Sequence, residues 1–186
     1  HYRYMTEFNP MQHIKHQFYA MRNGAIADNM RRQGAPYRII FGVNLPQLTE
    51  IARNTAKSAE MAEALWNNTS TRESMLLAPM IYPQEQYDIA TARRWSNGIT
   101  TPEVADILCM KLLRHMDFAS QLADELILSE NDMVRYTALR LMFNLLPNRI
   151  TEVKAYAESE MQRGCSLTAS VCRPLLDEIS FLEEEN

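Results

Sequence analysis

The residues able to do chemistry are few, and most are charged. Thr101-Pro102-Glu103 reads as a helix start, with Thr as N-cap and Pro at the first helical position. Thr100 with Glu103 offers a capping box one residue earlier. Asp106 then sits in the second turn, a placement that the helix dipole weakly favours for any carboxylate. Of the 19 basic residues only Lys15, Lys57, Lys111 and Lys154 are lysines, and the rest are arginines. An Arg fork grips phosphate or carboxylate at two points, so Arg31, Arg32, Arg93, Arg94 and Arg135 read either as phosphate ligands or as surface ion pairs. His13 and His16 lie three apart on one helix face, but no acid or cysteine nearby completes a metal set. Cys109, Cys165 and Cys172 lack zinc-ligand spacing and read as free, reduced thiols in a cytoplasm. No Gly-rich phosphate loop, Gly-x-Ser-x-Gly turn or His-Glu-x-x-His pattern occurs. Neither a metal nor a cofactor is expected.

Helical spacing dominates the elements that must carry these residues. Pro10 opens a helix with Ile14, Phe18 and Met21 on one face, and Asn23-Gly24 stops it. A second helix is expected over 25–33, ended by Gly34-Ala35-Pro36. Residues 37–45 hold the single β-looking run, too isolated to found a sheet. Pro46 starts a helix through Leu48, Ile51 and Ala52. Helices at 59–66 and 70–82 follow, the second opened by Ser70-Thr71-Arg72-Glu73 as a capping box and kinked by Pro79. Pro83 is expected to start a helix over 84–95 that Asn97-Gly98 ends. Beyond the Thr101 start, helices are expected near 119–128, 131–146, 148–163 and 167–184. The total is eight to ten helices of 8–17 residues with short polar turns, the pattern of stacked antiparallel helix pairs. Met-rich positions such as Met75, Met80 and Met142 read as adaptable core.

The chain has 186 residues, enough for one domain burying roughly 70% of its unfolded surface. Residues 1–5 read as a tag remnant or a truncated end, outside the fold. No apolar run approaches the ~20 residues of a membrane span, and no secretory segment is visible. The net charge of -4 argues against a general nucleic-acid binder. Yet residues 1–58 carry eight Lys and Arg against three acids, while residues 150–186 carry three against eight. A basic N-terminal third can still present a phosphate-facing surface.

One stretch carries a resemblance. Tyr37-Arg38-Ile39-Ile40-Phe41-Gly42-Val43-Asn44-Leu45-Pro46 runs on through Leu48 and Ile51-Ala52. Ala64-Leu65-Trp66 follows, and then Thr71-Arg72-Glu73-Ser74-Met75-Leu76-Leu77-Ala78. This order resembles the AlkD-like DNA alkylation repair glycosylases, over about residues 20–146. The resemblance implies an all-α fold of HEAT-like antiparallel helix pairs stacked into a curved α-solenoid, here one domain over residues 6–186. It also implies cleavage of the bond between an alkylated purine and its sugar. The purine already carries positive charge, so the sugar becomes cationic and needs a carboxylate beside it. In the family that Asp lies in a Trp-Asp-x-x-Asp helix start, which is similar to Pro102-Glu103-Val104-Ala105-Asp106. Asp106 is thereby the catalytic candidate, while Pro102 stands where the family has Trp.

The family also places an Arg before Thr-Ala in a later helix, where this chain has Tyr136-Thr137-Ala138. Arg135 is adjacent but ~100° around the helix, so it and Arg140 read as structural pairing partners. The C-terminal Trp of the family has no counterpart in residues 150–186. Trp66 reads as core, and Trp95 as a partial substitute for the missing aromatic wall. The implied partner is duplex DNA, held on a concave side by Arg31, Arg32, Arg93, Arg94 or Arg135, with Tyr136 and Trp95 beside it. The rival is a catalytically inactive scaffold binding protein through the same helices.

Overall fold

The computed structural model describes residues 9–185. Among them are eleven α-helices, two short 3-10 turns and no strand. Residues 1–5, expected to lie outside the fold, fall outside the described residues. Two compact units divide the chain, one ending at Pro83 and the other starting at Gln84.

The first unit holds α1 (Pro10–Ala20), α2 (Gly24–Arg32), α3 (Leu45–Arg53), α4 (Ala59–Asn67) and α5 (Arg72–Ile81). Side-chain caps set most of its helix starts. Asn9, Asn23, Asn44 and Ser58 each accept a backbone N–H of the first turn, and Asn44 with Gln47 closes a full capping box. Helix α5 has no polar face: every residue from Arg72 to Ile81 is buried. It packs against α3 and α4. Pro79 is accommodated in its last turn, two residues before the helix ends.

The start of α5 departs from the sequence expectation. Thr71 is the N-cap residue but makes no side-chain cap bond. Glu73 does not turn back to close a capping box. Its carboxylate accepts from the backbone N–H groups of Phe41, Gly42 and Val43 at 3.0, 3.0 and 3.2 Å, and from Arg72 Nη1 at 2.5 Å. A buried carboxylate is tolerable only when its oxygens are satisfied in this way. The β-looking run behaves as expected: Ile39 pairs with Thr71 in one isolated parallel bridge. Glu73 and this bridge together fasten the loop between α2 and α3 to α5. Gly42 sits in that loop at φ +82°, with a Cβ built on it lying 2.2 Å from Asn23 O. No side chain fits there.

The second unit holds α6 (Ile89–Ser96), α7 (Pro102–Lys111), α8 (Ala119–Leu126), α9 (Asp132–Asn144), α10 (Ile150–Met161) and α11 (Ser166–Glu184). The helix expected from Pro83 begins later. Gln84–Gln86 form a 3-10 turn, and Asp88 caps α6 by accepting from Thr91 N at 2.8 Å. The Asp88 cap sets the helix boundary, five residues after the proline. Helix α9 is the hub, packing on α7, α8 and α11. Its burial extends to Arg135 and Thr137, since neighbours cover it on several sides. Met75, Met80 and Met142 are buried, as expected of adaptable core residues.

Candidate functional site

Two helices of the second unit build the site. Thr101 Oγ1 accepts from Val104 N at 3.3 Å and Pro102 occupies the first turn, which sets the rotation of α7. Val104, Ala105, Ile107, Leu108 and Cys109 are buried, and Asp106 lies on the remaining strip with its side chain 33% exposed. Asn131 fixes the start of α9 by accepting from Met133 N at 2.8 Å and Val134 N at 3.2 Å. Residues four apart on a helix share a face. Tyr136 and Arg140 therefore reach the same carboxylate.

Tyr136 donates its hydroxyl to Asp106 Oδ1 at 2.8 Å, and Arg140 Nε stands 3.3 Å from the same oxygen. The nearest contacts of both partners fall on Oδ1, and the carboxylate stays one-third exposed. Cys109, one turn after Asp106, donates its thiol to Thr137 O at 3.6 Å and ties α7 to α9 beneath the site. Burial lifts the Asp106 carboxyl above the usual aspartate range. The Tyr136 hydroxyl and the Arg140 guanidinium pull against that lift, and Glu103 adds to it. Burial and donation to Asp106 push the Tyr136 phenol up. Burial, then the Asp106 charge, does the same to the Cys109 thiol.

An anchored, partly exposed carboxylate can balance a positive charge developing beside it. The nearby guanidinium weakens that effect, since it cancels part of the negative charge. The Arg140 side chain is 34% exposed, so the guanidinium that pairs with Asp106 also reaches solvent. The chain thus carries Tyr136 where the resemblance implies an Arg, and a guanidinium one turn further on. Sequence reading assigned Arg140 to structural pairing. The four-residue spacing from Tyr136 was the signal that could have found it.

The other expected site residues fare differently. Trp95 is fully buried, with its ring edge-on to Tyr87 at 5.5 Å between centroids, so it is no wall for DNA. Packing against the core side of α6 accounts for this. Arg135 is 2% exposed and is bound by Glu160 at 3.1 Å, Asp132 at 2.6 Å and Ser129 O at 3.0 Å. It serves the core and offers nothing to phosphate. Arg93 is exposed but forked onto Glu125 at 2.8 and 2.9 Å, which cancels its charge. Arg94 is exposed, and its charge helps hold Asp88 below the usual range, after the Thr91 hydrogen bonds. Arg31 and Arg32 are exposed at the end of α2. Tyr136 is buried and its hydroxyl is committed to Asp106. Trp66 is core, as expected. Among the described residues no set of three His, Cys, Asp or Glu is placed to hold a metal ion. No helix there is long and apolar enough to cross a membrane.

The fold has a solved counterpart. A structure from "a new family of proteins related to the HEAT-like repeat DNA glycosylases with affinity for branched DNA structures" matches with a TM-score of 0.78 at 19% identity. The match covers 89% of this chain and 73% of that one, and it makes the fold an all-α, HEAT-like helical repeat. No curated protein matches. The family model described as DNA alkylation repair enzyme matches residues 14–172, and the chain belongs to that family.

Proposed function

We propose that this chain binds duplex DNA as a repair-type protein and that Asp106 supports excision of cationic alkylated purines. The observation that carries the reading is the half-exposed Asp106 carboxylate, anchored through one oxygen by Tyr136 and Arg140. That carboxylate would face the cationic sugar as the base leaves. An alkylated purine is a good leaving group, so the step needs charge stabilisation more than a proton donor. Arg140 would grip a phosphate near the lesion while Arg31, Arg32 and Arg94 add contacts elsewhere. Residues 6–186 would work as one domain, in a cytoplasm where the thiols stay reduced. Family membership supports the DNA ligand. So does the solved relative's affinity for branched DNA, a property of that protein.

The test is release of 7-methylguanine or 3-methyladenine from alkylated duplex, with Asp106→Asn as control. Wild type is expected to release base, and the variant at least tenfold more slowly, on the order of 1.4 kcal/mol or more in barrier. Equal release by both proteins removes Asp106 from the reaction. Absence of duplex binding at about 50 mM salt removes the DNA reading itself.

A second reading has its own observation. From residue 84 onward, seventeen Asp and Glu stand against ten Lys and Arg. Such a surface suits a basic protein partner better than phosphate, and makes an inactive scaffold the outcome if duplex binding fails.

A further inference from the structure

The unit ending at Pro83 holds its positive charge in an unusual way. Between residues 9 and 49 stand Lys15, Arg22, Arg31, Arg32 and Arg38, against the single acid Asp28. None of the five pairs with a carboxylate among the described residues. Backbone carbonyls hold two of them instead. Arg22 Nη1 donates to Tyr19 O at 2.8 Å, while Arg31 donates to Tyr37 O and Arg38 O, both at 3.3 Å. A carbonyl fixes a guanidinium in place without cancelling its charge. In the other unit Arg93, Arg135, Arg149, Lys154 and Arg163 are all bonded to acids. The α1–α2 segment and its following loop thus hold uncancelled positive charge, two of whose guanidinium groups are fixed by carbonyls.

An aromatic ring lies beside one of these cations. Lys15, Tyr19 and Arg22 are spaced four and three apart, which puts them along one stripe of α1 and its exit. Ile14 and Phe18 take the buried side of the same helix. Tyr19 is 58% exposed, and the Arg22 guanidinium lies 3.8 Å from its ring centroid. A large exposed ring beside a fixed guanidinium is the combination that binds single-stranded nucleic acid: phosphates on the cations, a base on the ring. Duplex DNA keeps its bases stacked inside and would leave the ring idle. An acidic peptide would use the charges and equally ignore the ring.

We propose that the Lys15–Tyr19–Arg22 stripe is an accessory site for a DNA strand with unpaired bases. Lys15 and Arg22 hold phosphates on either side, and Tyr19 stacks one unpaired base. The inference rests on the DNA-binding reading above and extends it from duplex to junctions, flaps and forks.

The test compares binding of a 20-bp duplex with the same duplex carrying a five-nucleotide single-stranded flap, by fluorescence anisotropy over a salt series. Tyr19→Ala is expected to weaken flap binding about tenfold and duplex binding less than twofold. The Lys15→Gln/Arg22→Gln double variant is expected to flatten the salt slope for the flap substrate by about 1.5. All three changes are at exposed positions, and unchanged thermal melts verify folding. If wild type binds neither substrate, the DNA reading fails and this site fails with it. If wild type binds both and the variants match it, this site alone is wrong. If Tyr19→Ala is silent while polyglutamate competes with DNA and loses affinity in the double variant, the stripe is an acidic-peptide surface instead.

Discussion

Asp106 shows what one side chain's surroundings do to stability. Burial holds its folded pKa above the unfolded value, despite the help of Tyr136 and Arg140. The folded state thus binds the proton more tightly. Stability falls as pH rises from the unfolded pKa through the folded one, and the ionised carboxylate keeps its full cost above that window. Asparagine at this position still accepts from Tyr136 but carries no charge. Asp106→Asn is therefore expected to melt at a higher temperature than wild type at pH 7. The gap should close below about pH 3, where the aspartate is protonated in both states. A variant that melts lower at pH 7 contradicts this account.

At the scale of elements, the loop between α2 and α3 depends on one carboxylate and one glycine. Glu73 accepts three consecutive backbone N–H groups from residues 41–43. Gly42 supplies the left-handed turn that aligns them, at φ +82°. Gly42→Ala combines a strained φ with a 2.2 Å clash against Asn23 O, a backbone atom that cannot step aside. The expected loss is about 3 kcal/mol or more, readable as a lower urea midpoint. A loss under about 0.5 kcal/mol would mean that the loop can be rebuilt. Most helix starts are legible because caps are local, although at α6 Pro83 suggests a start ahead of the equally local Asp88 cap. Asn9, Thr101 and Asn131 act through residues two or three positions on, and Pro10 and Pro102 sit where the missing N–H costs nothing. The start of α5 was misread for the complementary reason. Ser70 to Glu73 fits a capping box, yet the carboxylate bonds to N–H groups about thirty residues away in sequence. Spacing does not reveal a partner at that distance.

Taken whole, the molecule carries a net charge of -4, yet between residues 9 and 49 five cations pair with no acid among the described residues. Those five, with the proposed contacts from Arg94 and Arg140, set its expected salt dependence. The slope of log affinity against log salt for duplex is expected to be no steeper than about 6, at ~0.9 per phosphate contact. A titration between about 50 and 200 mM salt measures it. A markedly steeper slope would mean that ion pairs such as Arg93–Glu125 open to take phosphate.

Periodicity, caps and the run from Tyr37 to Ala78 were enough to determine an all-helical chain and its family, because both depend on local order along the chain. The resemblance also led to Asp106 and to the Tyr136 substitution. Tertiary structure alone decided what each charge does. It buried Arg135 against Glu160, sealed Trp95 in the core, and brought Arg140 to Asp106. A side chain's exposure and its distant partners depend on which helices pack together. That information lies between segments rather than within any one of them.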